Sequence, residues 1–312
     1  MRTPAAVASA CCATVSWAAC RWRTKNVLDG GLTVNVTLAV LAAALLHAGW
    51  NALIRGAGDK GLYTLLLHAC SGALAIFALL ALGLPAAASW PYVLASALLH
   101  TLYIAWLMRA YDGGQLAVSY TLMRGLPPLL VALVSAPLLG ETLGAAGWLG
   151  IAAICGGVLG IGFAGGLTPG RALAHPASRA ALLNALAIAA YTVVDGIGAR
   201  LSGNPLAYAC SLFVCEPLLI LAWQYRRRGP AMRAYFRTHW RLGLAGALCS
   251  TSAYATILWA MTQAPVAMVA ALRESSVVFA VLIGSLWFGE GRLRPGLLAG
   301  AGVVLGIFLL RG

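Results

Sequence analysis

From Val34 to the end of the chain, apolar runs of about 20 residues alternate with short polar or Gly/Pro-rich breaks. As a helix rising about 1.5 Å per residue, a run of that length crosses a hydrocarbon core of roughly 30 Å. The breaks read GAGDKG, PAAASWP, YDGGQ, GET, the longer GGLTPGRALAHPASR, SGNP and the arginine-rich QYRRRGPAMRAYFRTHWR. They predict ten helices, over 34–54, 61–83, 91–109, 116–138, 145–165, 180–200, 205–225, 242–262, 266–288 and 295–311. The expected fold class is all-α, a polytopic membrane protein.

Two stretches of this pattern match at an offset of 149 residues. MRGLPPLLVALVSAPLLGETLGAAGWLGIAAICGG from Met123 aligns with LRESSVVFAVLIGSLWFGEGRLRPGLLAGAGVVLG from Leu272. Arg124 then falls on Arg273, Glu141 on Glu290, Gly147 on Gly296 and Gly157 on Gly306. A weaker match at an offset of 144 sets His47 and Asn51 against Tyr191 and Asp195. Five helices per half is an odd number, so the second half enters the membrane from the opposite face. Such inverted repeats mark secondary transporters, whose sites lie where the halves meet. The predicted organisation is a repeat over 34–165, a connecting loop over 166–179 and a second repeat over 180–312.

Composition agrees with the pattern: 61% of residues are hydrophobic and 9% charged. The formal charge of +13 is better explained by loop arginines than by a nucleic-acid partner. Thirteen loop Lys and Arg residues fall in odd-numbered loops, and only Arg200 in an even one. That asymmetry puts the odd loops in the cytoplasm and both ends of the ten-helix core outside. The eight cysteines show no CxxC and no Cys/His spacing, so neither metal nor cofactor is expected. Residues 1–33 have no repeat partner. They read as a signal-like segment, an eleventh helix or sequence upstream of a start near Val34, and the last is preferred.

The two halves, each closing on Gly-Glu followed by a Gly-rich helix, resemble EamA-type carriers of the drug/metabolite transporter superfamily. LHAGWNALIRGAGDK (46–60), YTLMRG (120–125), YTVVDGIGARLSG (191–203) and VAALRESSVVFA (269–280) are similar to a bacterial subgroup associated with phosphonate utilisation. The resemblance spans roughly 34–311. It implies two inverted five-helix EamA repeats around a central cavity, alternating access without ATP and a bacterial inner-membrane location. It also implies cytoplasmic termini, in conflict with the loop charges.

A mid-membrane arginine costs about 2.5–3.5 kcal/mol even on an insertion scale, so two at matching depth point to function. Arg124 and Arg273 are the expected anion-binding pair. Pro127 and Pro128 lack the N–H groups that the carbonyls of Met123 and Arg124 require, which opens the helix beside Arg124. Glu274 follows Arg273 but points about 100° away on a helix, so the two need not neutralise each other. Asp195, Glu216 and Glu274 are candidates for proton coupling, or for ion pairs with the arginines. His47, Trp50 and Asn51, with Tyr103, Tyr120, Tyr191 and Tyr254, are candidate walls of the site. His68 and His100 are more simply read as bonded to backbone carbonyls. Glu141 and Glu290 are expected to be structural, bonding neighbouring helix N-termini. Close helix contact is expected of Gly144, Gly147, Gly150, Gly296, Gly300, Gly302 and Gly306.

These residues predict secondary transport of a small polar or amphipathic metabolite, by rocking of the halves around a midplane site. The partners would be that metabolite and the bilayer, without nucleic acid, the protein being a monomer or homodimer. A membrane receptor or assembly protein is the alternative. An intramembrane enzyme is disfavoured by the absence of HExxH and GxSxG.

Overall fold

In hydrocarbon a backbone must satisfy its own N–H and C=O groups, and the apolar runs of this chain do so as helices. The computed structural model describes residues 32–111, 116–164, 170, 175–288 and 293–311. Among these there is no β-strand. In chain order the helices are α1 (Val34–Gly56), α2 (Lys60–Leu82), α3 (Trp90–Tyr111), α4 (Leu116–Gly125), α5 (Pro127–Leu139) and α6 (Ala145–Ala164). They continue with α7 (Pro176–Leu201), α8 (Pro205–Met261), α9 (Val266–Arg273), α10 (Ser276–Phe288) and α11 (Leu293–Arg311). Of the N-terminal extension, residues 1–31 lie outside the described residues, while Thr33 caps α1 through its hydroxyl.

Seven helical stretches are long and apolar enough to cross a membrane: Val34–Gly56, Lys60–Leu82, Ala87–Ala110, Val118–Leu139, Pro176–Leu201, Arg228–Met261 and Val266–Trp287. Three shorter apolar helices accompany them, Ala145–Gly160, Pro205–Leu218 and Gly300–Arg311. Local signals set the ends. Asp59 accepts from the Leu62 amide at 2.9 Å to start α2, and Asn204 caps α8. Gly83, Gly140 and Gly203 take the positive φ that a turn requires.

Four predicted elements differ. The fourth and ninth helices are each broken in two, as α4/α5 and α9/α10. The arginine-rich connection between the seventh and eighth helices is helical, and the two run together as α8 with a kink at Arg228 (φ −130, ψ 19). Pro230, two residues on, has no N–H for the Arg226 carbonyl, which breaks the hydrogen-bond ladder there. The sixth helix begins four residues earlier than expected, with Pro176 in its first turn and His175 as its cap.

The packing is inside-out relative to a water-soluble domain. Phe77, Leu80, Leu286, Trp287 and Phe308 point outward, whereas Asp195, Glu216, Arg273 and Glu274 are buried. A bilayer supplies no hydrophobic force between helices, so close van der Waals contact must hold them. α2 packs along α8, α3 along α7, and α6 along α11. α1 lies against α8 and α10, and α7 against α3 and α4.

Small residues make the α6–α11 contact possible. A Cβ on Gly306 would stand 2.7 Å from the Gly150 carbonyl oxygen, and one on Gly302 2.9 Å from that of Ala153. Gly147 meets Met268 of α9 instead, Gly300 has only an ordinary contact with Val278, and nothing approaches Gly144. The side-chain environment of Gly296 lies outside the described residues. Because backbone cannot yield as a flexible side chain can, Gly306→Ala is expected to destabilise the protein by about 1–3 kcal/mol. Thermal unfolding in detergent checks this, with Gly156→Ala, which has open space, as the unaffected reference.

Candidate functional site

Both candidate arginines sit where a helix stops. α4 ends at Gly125, one residue past Arg124, and α9 ends at Arg273 itself. Pro127 and Pro128 occupy the first two positions of α5, where a missing N–H costs nothing, so the chain restarts there instead of continuing α4. The α9 break has no proline. The Glu274 and Ser275 amides reach back only three residues, to Ala271 (3.0 Å) and Leu272 (3.1 Å), which tightens the last turn. A cation in that last turn faces the negative end of the helix dipole.

Glu274, the cap of α9, keeps a right-handed helical backbone (φ −69, ψ −9), and its carboxylate meets an arginine of another helix. Glu274 Oε2 lies 2.9 Å from Arg124 Nε, and its Oε1 3.6 Å from Arg273 Nε. Arg124 Nη2 also donates to Ser276 Oγ at 2.7 Å. One carboxylate thus serves two guanidiniums, and the buried triad retains one positive charge. Its hydrogen bonding is incomplete: Arg124 Nε, Arg273 Nε and Nη2 and both Glu274 oxygens have no aligned partner among the described residues. The contacts are close enough for Coulomb attraction but are not hydrogen bonds in geometry.

Several of the expected wall residues surround this triad. Tyr120, Tyr103 and Tyr191 all lie within electrostatic reach of Arg124. His47 feels both arginines, and Trp50 meets its ring edge-on at 5.0 Å. Asn51 turns its amide back to the His47 carbonyl at 2.7 Å, within its own helix.

Asp195 stands beside the triad with different partners. Tyr208 donates to Oδ1 at 2.8 Å and Tyr254 donates to Oδ2, while the Ser96 hydroxyl lies 3.2 Å from His100 Nδ1. Its bonds are to neutral hydroxyls, so the ion pair with Arg124 or Arg273 offered as one reading does not form. His100 stacks on Tyr191 at 4.1 Å and lies 2.9 Å from the Ser96 carbonyl oxygen. Glu216 lies elsewhere, on α8, with His68 of α2 at 3.9 Å, and it too makes no ion pair with an arginine among the described residues.

Glu141 forms a second buried cluster, outside the spans. It accepts from the Val266 amide, the first of α9, at 3.0 and 3.1 Å, and from Arg200 Nη2 at 2.5 Å. Arg200 in turn donates to the carbonyls of Met261 (2.9 Å) and Ala264 (3.3 Å). Burial raises the Glu141 carboxyl from its ordinary range, opposed by Arg200 and by the Val266 amide. Glu290 lies outside the described residues.

Sequence reasoning missed Arg200, Tyr208, Ser96 and Ser276 as partners. Arg200 carried a signal, as the one basic residue in an even-numbered loop. Tyr208 lies 13 residues beyond Asp195 across the SGNP turn, where two antiparallel helices face each other. Ser96 and Ser276 had no signal beyond being polar in apolar runs.

Residues 177–312 match the model of the EamA-like transporter family. The second half of the chain is thus similar to that family. With seven apolar spans among the described residues, the chain is a multi-pass membrane protein of helical type. No curated protein matches the sequence. A solved crystal structure, titled only as that of a protein, superimposes with a TM-score of 0.66 at 21% identity, covering 88% of this chain and 96% of its own. The chain therefore shares its fold with that structure.

Breaking a buried ion pair from one side costs about 3–5 kcal/mol, because the other charge is stranded. Glu141→Gln and Arg200→Gln are each expected to lower the yield and thermal stability of folded protein by an amount in that range. Size-exclusion chromatography of heated samples measures it, and unchanged midpoints would show that the cluster does not hold the fold.

Proposed function

We propose that this chain is a secondary transporter that moves a small anionic or zwitterionic metabolite across a bacterial inner membrane by alternating access. The observation that carries the reading is the Arg124–Glu274–Arg273 triad. It leaves one positive charge buried at a double helix break, together with guanidinium N–H groups that have no aligned partner among the described residues. A substrate carboxylate or phosphonate would neutralise that charge and accept those hydrogen bonds, with the planar fork of arginine matching two oxygens at once. Discontinuous helices whose ends face a polar site are the usual architecture of midplane binding.

The reading includes ten membrane crossings as two inverted EamA repeats. Packing supports it: exchanging the halves turns the α1–α8 contact into α7–α3, and α1–α10 into α7–α5, and both members of each pair occur. The matching breaks after Arg124 and Arg273 support it further. Asp195, Glu216 and Glu274 supply buried carboxylates for proton coupling.

Electroneutrality separates the roles of the triad. Removing either arginine leaves a neutral pair, whereas removing Glu274 leaves two buried cations. Arg124→Gln and Arg273→Gln should therefore insert and fold, yet lose flux of an anionic substrate in proteoliposomes by at least tenfold. A net coupling of about 1.4 kcal/mol suffices for that factor. Lysine at either position should restore only part. Glu274→Gln should instead reduce the amount of folded protein. Normal flux in both arginine variants would place the site elsewhere.

We further propose that Arg226–Arg241 faces the cytoplasm, as the thirteen-to-one loop asymmetry implies. A cysteine at Ala231, an exposed position, should resist an impermeant maleimide in intact cells, and rapid labelling would reverse the orientation.

A further inference from the structure

The stretch Arg226–Arg241 is more than a charged loop, because it is built as the start of a helix. Beyond the kink at Arg228, α8 runs on through Met261. Residues 242–261 carry no charge and, at about 30 Å, fill the hydrocarbon core. Residues 229–241 therefore extend about 20 Å beyond it, at or along the bilayer surface.

This extension has two faces. Met232, with Tyr235 and Phe236, packs on Leu62 and Leu65 at the start of α2 and on Leu221. Arg233, Arg237 and Arg241 recur every fourth residue on another face, and all three are exposed. Exposed aromatic rings bracket the stripe. The Arg233 guanidinium carbon lies 5.9 Å from the centre of the Tyr225 ring, and that of Arg241 5.4 Å from the Trp240 ring. Tyr225 and Trp240 are each about half exposed, at 48% and 52%. From Pro217 to Arg273 the chain contains no acidic residue. Asp59, which interacts with Tyr235, is already the cap of α2.

We propose that this face is a docking surface for anionic phospholipid headgroups, with Arg233, Arg237 and Arg241 on lipid phosphates and Tyr225 and Trp240 at headgroup depth. Three observations converge on a lipid partner. The stripe is continuous with a membrane span, so headgroups are the anions nearest to it. Its aromatics are of the amphipathic type enriched at the membrane–water interface. Stacking on a ring seats a guanidinium with its N–H edge outward, in the geometry that a phosphate accepts. The apolar face meanwhile fixes the segment to α2, so lipid bound to the stripe holds α2 and α8 together. This inference depends on membrane insertion and not on transport.

Native mass spectrometry of the full chain in detergent tests it, with phosphatidylglycerol and phosphatidylcholine of identical acyl chains as probes. The wild type should retain phosphatidylglycerol preferentially and lose it as salt is raised. A surface arginine contributes a factor of about five in affinity, so Arg233→Gln/Arg237→Gln/Arg241→Gln should weaken retention roughly a hundredfold. The corresponding triple lysine variant should keep most of it. If the triple glutamine variant fails to fold, the single Arg237→Gln carries the test with its fivefold loss. Equal retention of phosphatidylcholine, or unchanged binding by the folded glutamine variants, overturns the proposal. So does displacement of the lipid by inorganic phosphate or by a poly-glutamate peptide at equal concentration, since the surface would then read free anions or an acidic protein.

Discussion

A charge held in hydrocarbon must find its compensation inside the protein, and much of this architecture follows from that requirement. Lipid-facing positions are apolar, and the strongest polar groups are turned inward onto one another. Glu274 is the point on which the arrangement closes. It reaches guanidiniums from two different broken helices, which fixes α4 against α9. Without it, two cations would share a low-dielectric interior, at a cost of about 3–5 kcal/mol, a large fraction of the stability of a typical domain.

The helix breaks and the triad explain each other. The end of α9 tightens to i→i+3 bonding at Glu274 and Ser275, and from that turn the Glu274 carboxylate reaches Arg124. The break in turn exposes carbonyls at the C-terminal end of α9, where the arginine complements the dipole. Asp195 solves the same problem differently. It accepts from the Tyr208 and Tyr254 hydroxyls, and this leaves the arginine pair engaged by a single acid. Within the triad two guanidiniums face that one carboxylate.

The helices, their approximate ends and the matching arginines were legible in the chain because length, apolar runs and Gly/Pro punctuation are local properties. The α4 break could be anticipated from Pro127 and Pro128. The α9 break could not, since RESS carries no breaker and only the i→i+3 bonding at Glu274 and Ser275 reveals it. The helical course of 229–241 escaped notice because six arginines in 16 residues resemble a solvated loop. Its apolar contacts with Leu62 and Leu65 are long-range and leave no local periodic trace. Partners such as Ser96 and Tyr208 are set by how helices pack, which pattern reading does not reach.

Glu141 has a consequence of another kind. One carboxylate joins the turn after α5, the end of α7 and the first amide of α9, and Arg200 ties the same turn to the carbonyls of Met261 and Ala264. These bonds share two side chains, so the ends of α7 and α8 and the start of α9 are all tied to one turn. A movement of α9 alone gives up only the Val266 amide, while Arg200 still holds that turn to the end of α8. The cluster is therefore a moored knot from which α9 can be untied without loosening the other ties.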